Sequence, residues 1–274
     1  MSIRDFFKYL SSVVFIRRYL FLVLSRFNFK VSIPNSYSGR SLLIESWLHR
    51  SYWFFQRNRE RTSMNLLPQL INQGDTVLEI GAHIGFMTQY FEFLTGDRGC
   101  VVAVEPTPES FVYLKRNALP SSILISAAIS SSTGISPLFI GSQGGFTNSL
   151  SRAFVDEHHR YAIENGGLRA SKISLTSVAT FSIDDLFSFL SLQHPRFIKI
   201  DAEGAELKIL QGASNTLPNV QYLMIEITSS HREIASILED NFLPLSLSLT
   251  PGSWHEFLNQ CESRNHFFLN KRVS

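Results

Sequence analysis

Between residues 76 and 94 the apolar and polar positions change period in a way that predicts a strand, a turn and a helix. Val77, Leu78 and Ile80 form the short apolar run of a strand covered on both faces. Gly81 and Gly85 bracket a turn in which the backbone needs freedom and room for close approach. Phe86, Tyr90, Phe91 and Leu94 then fall on one side of a helix. Similar apolar runs recur downstream. Residues 101–104 end in Glu105-Pro106, residues 123–129 contain the small pair Ala127-Ala128, and residues 197–200 end in Asp201 at the start of another helix. Residues 220–227, with Glu226 near their end, predict a fifth strand, and residues 267–269 a late one. Strands alternating with helices in this way predict an α/β fold built on a mostly parallel, doubly wound sheet.

The flanks follow other patterns. Phe6, Leu10, Val13, Leu20, Leu24 and Phe27 share a helical stripe with Tyr9, Ile16 and Val23, while Lys8, Ser11, Arg18 and Arg26 lie opposite and Arg17 interrupts the stripe. A spanning helix needs about 20 mainly apolar residues, and each mid-span arginine costs about 2.5 to 3.5 kcal/mol. Residues 1–30 are therefore expected to form a basic amphipathic helix, lying on a membrane surface, on a partner or on the protein's own body. Residues 33–39, with Pro34, Asn35 and Gly39, read as a connector, and residues 41–67, rich in Leu43, Trp47, Trp53, Phe54 and Phe55, as a helical cap over the site. The expected division is thus 1–30 as the helix, 31–73 as helical cap and linker, and 74–274 as the catalytic domain. From 141 to 171 the order relaxes, with five glycines around Phe146-Thr147-Asn148-Ser149, the pattern of a long loop or lid.

Charge sharpens this division. A formal net charge of +2 over 274 residues argues against a nucleic-acid partner held by electrostatics. Yet residues 1–61 carry 11 Lys and Arg against 3 Asp and Glu, and the remainder 14 against 20, so a basic segment joins an acidic body. The only cysteines are Cys100 and Cys261, too few for a disulfide framework, and no cleavable leader pattern precedes the body. A reducing, cytoplasmic compartment is expected, with residues 1–30 placed peripherally on the inner face of a membrane.

The spacing of the glycines bears on the ligand. A dinucleotide turn reads G-x-G-x-x-G, whereas residues 79–85 read E-x-G-x-x-x-G, with His83 in the middle. Glu79 would repel a pyrophosphate but suits a ligand with a positive amino group and no phosphate. S-adenosyl-L-methionine is such a ligand. Glu105, at the end of the next strand, can accept both ribose hydroxyls, and the small residues around Ala128 leave space for an adenine ring. Asp201, Glu203 and Glu206 put three acids within six residues at one helix start, more than capping needs. One can cap the helix; the others are available to a methionine ammonium group, a substrate hydroxyl or Lys199. No His or Cys stands at ligand spacing beside them, and no metal is predicted.

Over roughly residues 74–270 the chain resembles the FkbM family of S-adenosylmethionine-dependent methyltransferases. The matching motifs are V-L-E-I-G-A-x-I-G at 77–85, V-V-A-V-E-P at 101–106, A-A-I-S at 127–130, G-G-F-T-N-S-L at 144–150 and I-K-I-D-A-E-G-A-E-L-K-I-L-Q-G-A at 198–213. The resemblance implies a Rossmann-like class I methyltransferase fold. It further implies a cofactor set of Glu79, Gly81, Ala82, His83, Gly85, Glu105, Pro106 and Ala128, and methylation of a hydroxyl on a small molecule, sugar, glycan or glycolipid. Asp201 is the first candidate for the base and Glu203 the second; Asp201 as an orienter of the methionine moiety, and Glu203 or Glu206 as caps, stand beside that reading. One departure from the family pattern is His83, where Asn is usual. Both residues tolerate positive φ, so the turn is expected to survive. The alternative is a binding subunit on a membrane or partner that keeps the fold with little or no turnover.

Overall fold

The computed structural model describes residues 25–55, 58, 60–141, 147–164, 173–192, 194–260 and 265–272. Its first elements form a hairpin, β1 (Lys30–Pro34) and β2 (Ser41–Glu45), paired antiparallel with Lys30 opposite Glu45. Asn35 closes it, accepting at its backbone carbonyl from the Gly39 amide and at Oδ1 from the Tyr37 amide. Sequence had suggested a connector followed by a helix from residue 41. The strand forms because Leu42 and Ile44 alternate with half-buried neighbours and are fully buried on one face, a period of two. Helix begins only at α1 (Arg50–Phe55) and resumes in α2 (Arg61–Leu70).

The body then runs β3 (Thr76–Ile80), α3 (Phe86–Thr95), β4 (Cys100–Val104), α4 (Pro108–Asn117), β5 (Ile123–Ile125), β6 (Ala128–Ile129), β7 (Gly134–Ile140), α5 (Arg152–Glu164), β8 (Ser174–Phe181) and α6 (Ile183–Leu190). It closes with β9 (Phe197–Ile200), α7 (Glu206–Gln211), β10 (Tyr222–Glu226), α8 (His231–Leu238), β11 (Phe242–Leu245), α9 (Trp254–Gln260) and β12 (Asn265–Asn270). Seven strands form the main sheet in the order β11-β12-β10-β9-β3-β4-β5, in which β12 alone runs against its neighbours. This is the doubly wound α/β arrangement expected from the strand and helix alternation.

Alternation along each strand separates two apolar layers. Leu78, Ile80, Val102, Val104, Ile198 and Ile200 face one cluster, with α6, α7 and α8 over them. Val77, Val101, Phe197 and Met224 face the other, under α2, α3 and the hairpin residues Leu42 and Ile44. On α3 the predicted stripe is buried at Phe86, Tyr90 and Phe91.

Two further expectations change. Residues 123–129 are not one strand: the chain leaves the main sheet after Ile125, and Ala128–Ile129 pair instead with β8 in a separate sheet of order β6-β8-β7. The stretch 141–171 is not one loop either, since α5 occupies its middle and buries Phe154 and Val155. Residues 1–24, which carry most of the predicted amphipathic helix, lie outside the described residues; Ser25–Phe27 form a short 3-10 turn. Among the described residues no helix is long and apolar enough to cross a membrane.

Candidate active site

At the carboxyl edge of the sheet the winding direction changes. From β3 the chain moves outward through β4 to β5 and later returns to β9 on the opposite side of β3, and such switch points are where open α/β sheets leave a crevice for ligands. Here the crevice is a cleft of about 860 Å³, counting its open mouth. Glu79, Gly81, Ala82, His83, Glu105, Pro106, Ala128, Asp201 and Glu203 all line it.

Gly85 does not line the cleft. It precedes α3 at φ 87°, and a Cβ there would lie 3.1 Å from Leu114 Cδ1 and 3.4 Å from Asn117 Cβ, so this glycine serves helix packing. Gly81, at φ 79°, is required by a closer approach: a Cβ would sit 1.8 Å from the Asp201 carbonyl oxygen, where the ends of β3 and β9 meet. The amides of Gly81 and Ala82 both donate to the Val104 carbonyl, at 3.0 and 3.1 Å. His83 holds φ 50°, so the turn survives the departure from Asn. Its imidazole is engaged by the cap, with Tyr52 stacked on the ring at a 5.9 Å centroid separation and the Tyr52 hydroxyl 2.9 Å from Nδ1.

Glu105 is buried, with Oε2 accepting from the His83 amide at 2.9 Å and Oε1 from the Thr107 amide at 2.8 Å. Burial raises its pKa and these amides oppose the rise. The Thr107 side chain adds a further hydrogen bond to this carboxyl, whose two oxygens offer about four acceptor sites in all.

Glu79 and Lys199 lie opposite each other in the pairing of β3 with β9. Lys199 Nζ donates to the Gly81 carbonyl at 3.0 Å and stands 3.1 Å from Asp201 Oδ2 and 3.9 Å from Glu79 Oε1. Burial disfavours this ammonium, yet Asp201 and Glu79 together hold its pKa above the usual lysine range. Thr88 Oγ1 donates to Glu79 Oε2 at 2.5 Å, while Glu79 Oε1 is buried without a hydrogen-bond partner. Burial pushes the Glu79 carboxyl up to about 8, against the pull of Lys199. An unsatisfied buried carboxylate oxygen facing a cleft fits a cationic ligand group.

Asp201 keeps 24% of its side chain exposed to the cleft. Glu203 adopts φ 52°, and burial with Asp201, Glu226 and Glu206 nearby raises its carboxyl far above the ordinary range. Glu206 faces away: Oε1 accepts from the Gly204 amide at 2.7 Å and Oε2 from Thr228 Oγ1 at 3.2 Å, the cap-like role considered for it. Among the described residues no group of three or more His, Cys, Asp or Glu is arranged to hold a metal ion.

Sequence reasoning missed the contributions of Tyr52 and Thr107. Nothing in the order of residues signals a contact across 31 positions between Tyr52 and His83. Lys199 carried a usable signal, because a lysine inside a buried parallel strand needs a partner.

A family model for the FkbM methyltransferase domain matches residues 79–264. Hexuronic acid methyltransferase AglP of Haloferax volcanii is 26% identical over 171 residues, which are 61% of this chain and 62% of that protein, so the chain spans less than two thirds of this relative's length. Among solved structures, methyltransferase FkbM from Methylobacillus flagellatus shares 14% identity at a TM-score of 0.42, over 93% of this chain and 59% of that one. Fibrillarin of Aeropyrum pernix, solved with natively bound S-adenosyl-L-methionine, shares 12% at 0.41, over 88% of each chain. Both scores are low, and the assignment rests on the family model, which begins at Glu79 near the end of β3 and runs through β9 and α9. The chain belongs to the FkbM methyltransferase family.

Proposed function

We propose that the protein transfers a methyl group from S-adenosyl-L-methionine to a hydroxyl of a sugar or glycan. The observation that carries this reading is the meeting, in one switch-point cleft, of the unpartnered Glu79 oxygen, the doubly anchored Glu105 carboxylate and the partly exposed Asp201. These residues fit a ligand that has an ammonium group, a ribose diol and a sulfonium centre. Glu79 would take the ammonium, Glu105 the two hydroxyls, and Pro106 and Ala128 would flank the base. Once bound, S-adenosyl-L-methionine supplies an electrophilic methyl group on a positively charged sulfur. The protein's own task is then positioning and proton removal. Alignment of the acceptor oxygen with the methyl group supplies much of the acceleration. Lys199 fixes Asp201 through Oδ2, and Asp201 would take the acceptor's hydroxyl proton. An acceptor of the sugar class is supported by the relative named as a hexuronic acid methyltransferase.

The test is transfer of a radiolabelled methyl group from S-adenosyl-L-methionine into cell polysaccharide and lipid extracts. Label is expected as an alkali-stable methyl ether, and Asp201→Asn should cut turnover by roughly 10² to 10⁴ with the fold intact. Turnover that persists in Asp201→Asn while only the KM for the cofactor rises would make Asp201 a cofactor residue, and the base would then be sought at Glu203, His83 or around Asn148. Cofactor binding without any transfer would instead favour the binding-subunit alternative.

A further inference from the structure

Around Ser46 the hairpin and α1 gather five large aromatic side chains that the core leaves uncovered. Ser46 Oγ donates to the Phe27 carbonyl at 2.9 Å and accepts from the Phe29 amide at 3.1 Å, and the Ser46 carbonyl accepts from Trp53 Nε1 at 2.6 Å. Asn28, between the two phenylalanines, accepts at Oδ1 from the Trp47 and Leu48 amides. The ring of Phe54 lies 6.0 Å from that of Trp53 and 5.3 Å from that of Phe55. Phe27, Phe29, Trp53, Phe54 and Phe55 range from 36% to 63% exposed. Scattered apolar exposure is ordinary, but here hydrogen bonds fasten the aromatics into one face, and a contiguous apolar face of this kind marks a contact surface.

The charges around it narrow the partner. Arg26, Lys30 and Arg50 flank the aromatics, and Arg50 lies 4.6 Å over the Trp47 ring. Glu45, the neighbouring acid, accepts hydrogen bonds from Asn28 and Tyr113. In sequence, residues 1–24 have a similar composition, with Arg4, Lys8, Arg17 and Arg18 among Phe, Leu and Val. Aromatic rings set among basic residues are what the boundary between acyl chains and anionic headgroups receives. The acidic remainder of the chain would be repelled from such a surface, which fixes the side that approaches. We propose that the face formed by Phe27, Phe29 and Trp53–Phe55 docks reversibly on an anionic lipid bilayer. On the same helix, Tyr52 is buried and lines the cleft, so the docking face and the cleft share an element.

The test is co-sedimentation of the full-length protein with vesicles of phosphatidylcholine and phosphatidylglycerol, compared with phosphatidylcholine alone, at low and high salt. Binding is expected on the anionic vesicles at low salt, weakened at high salt. The triple variant Phe27→Ser, Phe29→Ser, Phe55→Ser should lose about tenfold or more in affinity, because the insertion of apolar rings is removed. These three side chains are more than half exposed, and the melting temperature is expected to stay unchanged. Arg26→Glu, which leaves every aromatic in place, should weaken binding several-fold at low salt only. The proposal is overturned if the full-length protein stays in the supernatant, or if the triple variant sediments like wild type. It is equally overturned if the wild type is a dimer in solution, ignores the vesicles, and the triple variant dissociates it, since the face would then belong to a second copy. None of these readouts depends on methyl transfer.

Discussion

Glu79 stands in a buried row between Ala103 on β4 and Lys199 on β9. Because burial raises its folded pKa to about 8, the folded state keeps a proton that the unfolded chain gives up near 4.5. Its contribution to stability is therefore full below the unfolded value and is lost as pH rises towards 8. The raised carboxyls of Glu203 and Glu226 act in the same direction. His49 opposes them on the acid side: burial lowers its imidazole to about 4, so its neutral form favours folding above 6.5 and this contribution is lost as pH falls through 4. Glu79→Gln removes one titration, and its melting temperature should decline less than that of wild type between pH 5 and pH 8. Parallel curves would place the titration elsewhere. Among these residues Glu79, Glu105 and Asp201 were legible in the sequence, since a charge at the end of an apolar strand stands out. Gly85 shows the limit of such reading, because a glycine required by Leu114 and Asn117 looks the same in sequence as one required by a ligand.

Elements were legible where one period dominated. β3, β4, β9 and β10 carry short apolar runs, and α3 a clear stripe. The hairpin was hidden because five residues of alternation in β2 lead, through Trp47, into the aromatic stretch of α1, and a helical reading absorbed both. β7 and β8 carry few buried side chains and gave no pattern. What holds the hairpin to the body is Asn117 at the end of α4. Its Oδ1 accepts from the Leu43 amide at 2.7 Å, and its Nδ2 donates to the Leu43 carbonyl at 3.0 Å and the Ile84 carbonyl at 2.7 Å. Asn117→Ala strands these buried groups and should cost about 2 to 4 kcal/mol, with each unsatisfied group contributing about 1 to 3. Urea unfolding with an unchanged m-value measures it; a loss below about 0.5 kcal/mol, the scale of an ordinary surface substitution, would mean that the apolar contacts of Leu42 and Ile44 hold the hairpin alone.

On the scale of the whole molecule, an acidic cleft opens at the switch point of a doubly wound sheet, and α1, which lends Tyr52 to its lining, exposes Trp53, Phe54 and Phe55 beside Phe27 and Phe29. The sheet class and the strand-end acids followed from local patterns, which short-range sequence carries. The closing contacts of Tyr52, Lys199 and Asn117 depend on residues 31, 118 and 74 positions away, separations at which no single sequence shows a pattern. The central claim is that this cleft holds S-adenosyl-L-methionine with Glu105 on its ribose. Titration calorimetry of the full-length protein tests it most directly. One molecule should bind per chain, tighter as pH rises and Glu79 ionises, and Glu105→Ala should lose about 1.5 to 3 kcal/mol, the scale of a hydrogen bond to a charged group. No heat from the wild type, or a Glu105→Ala variant that titrates like wild type, would contradict the account.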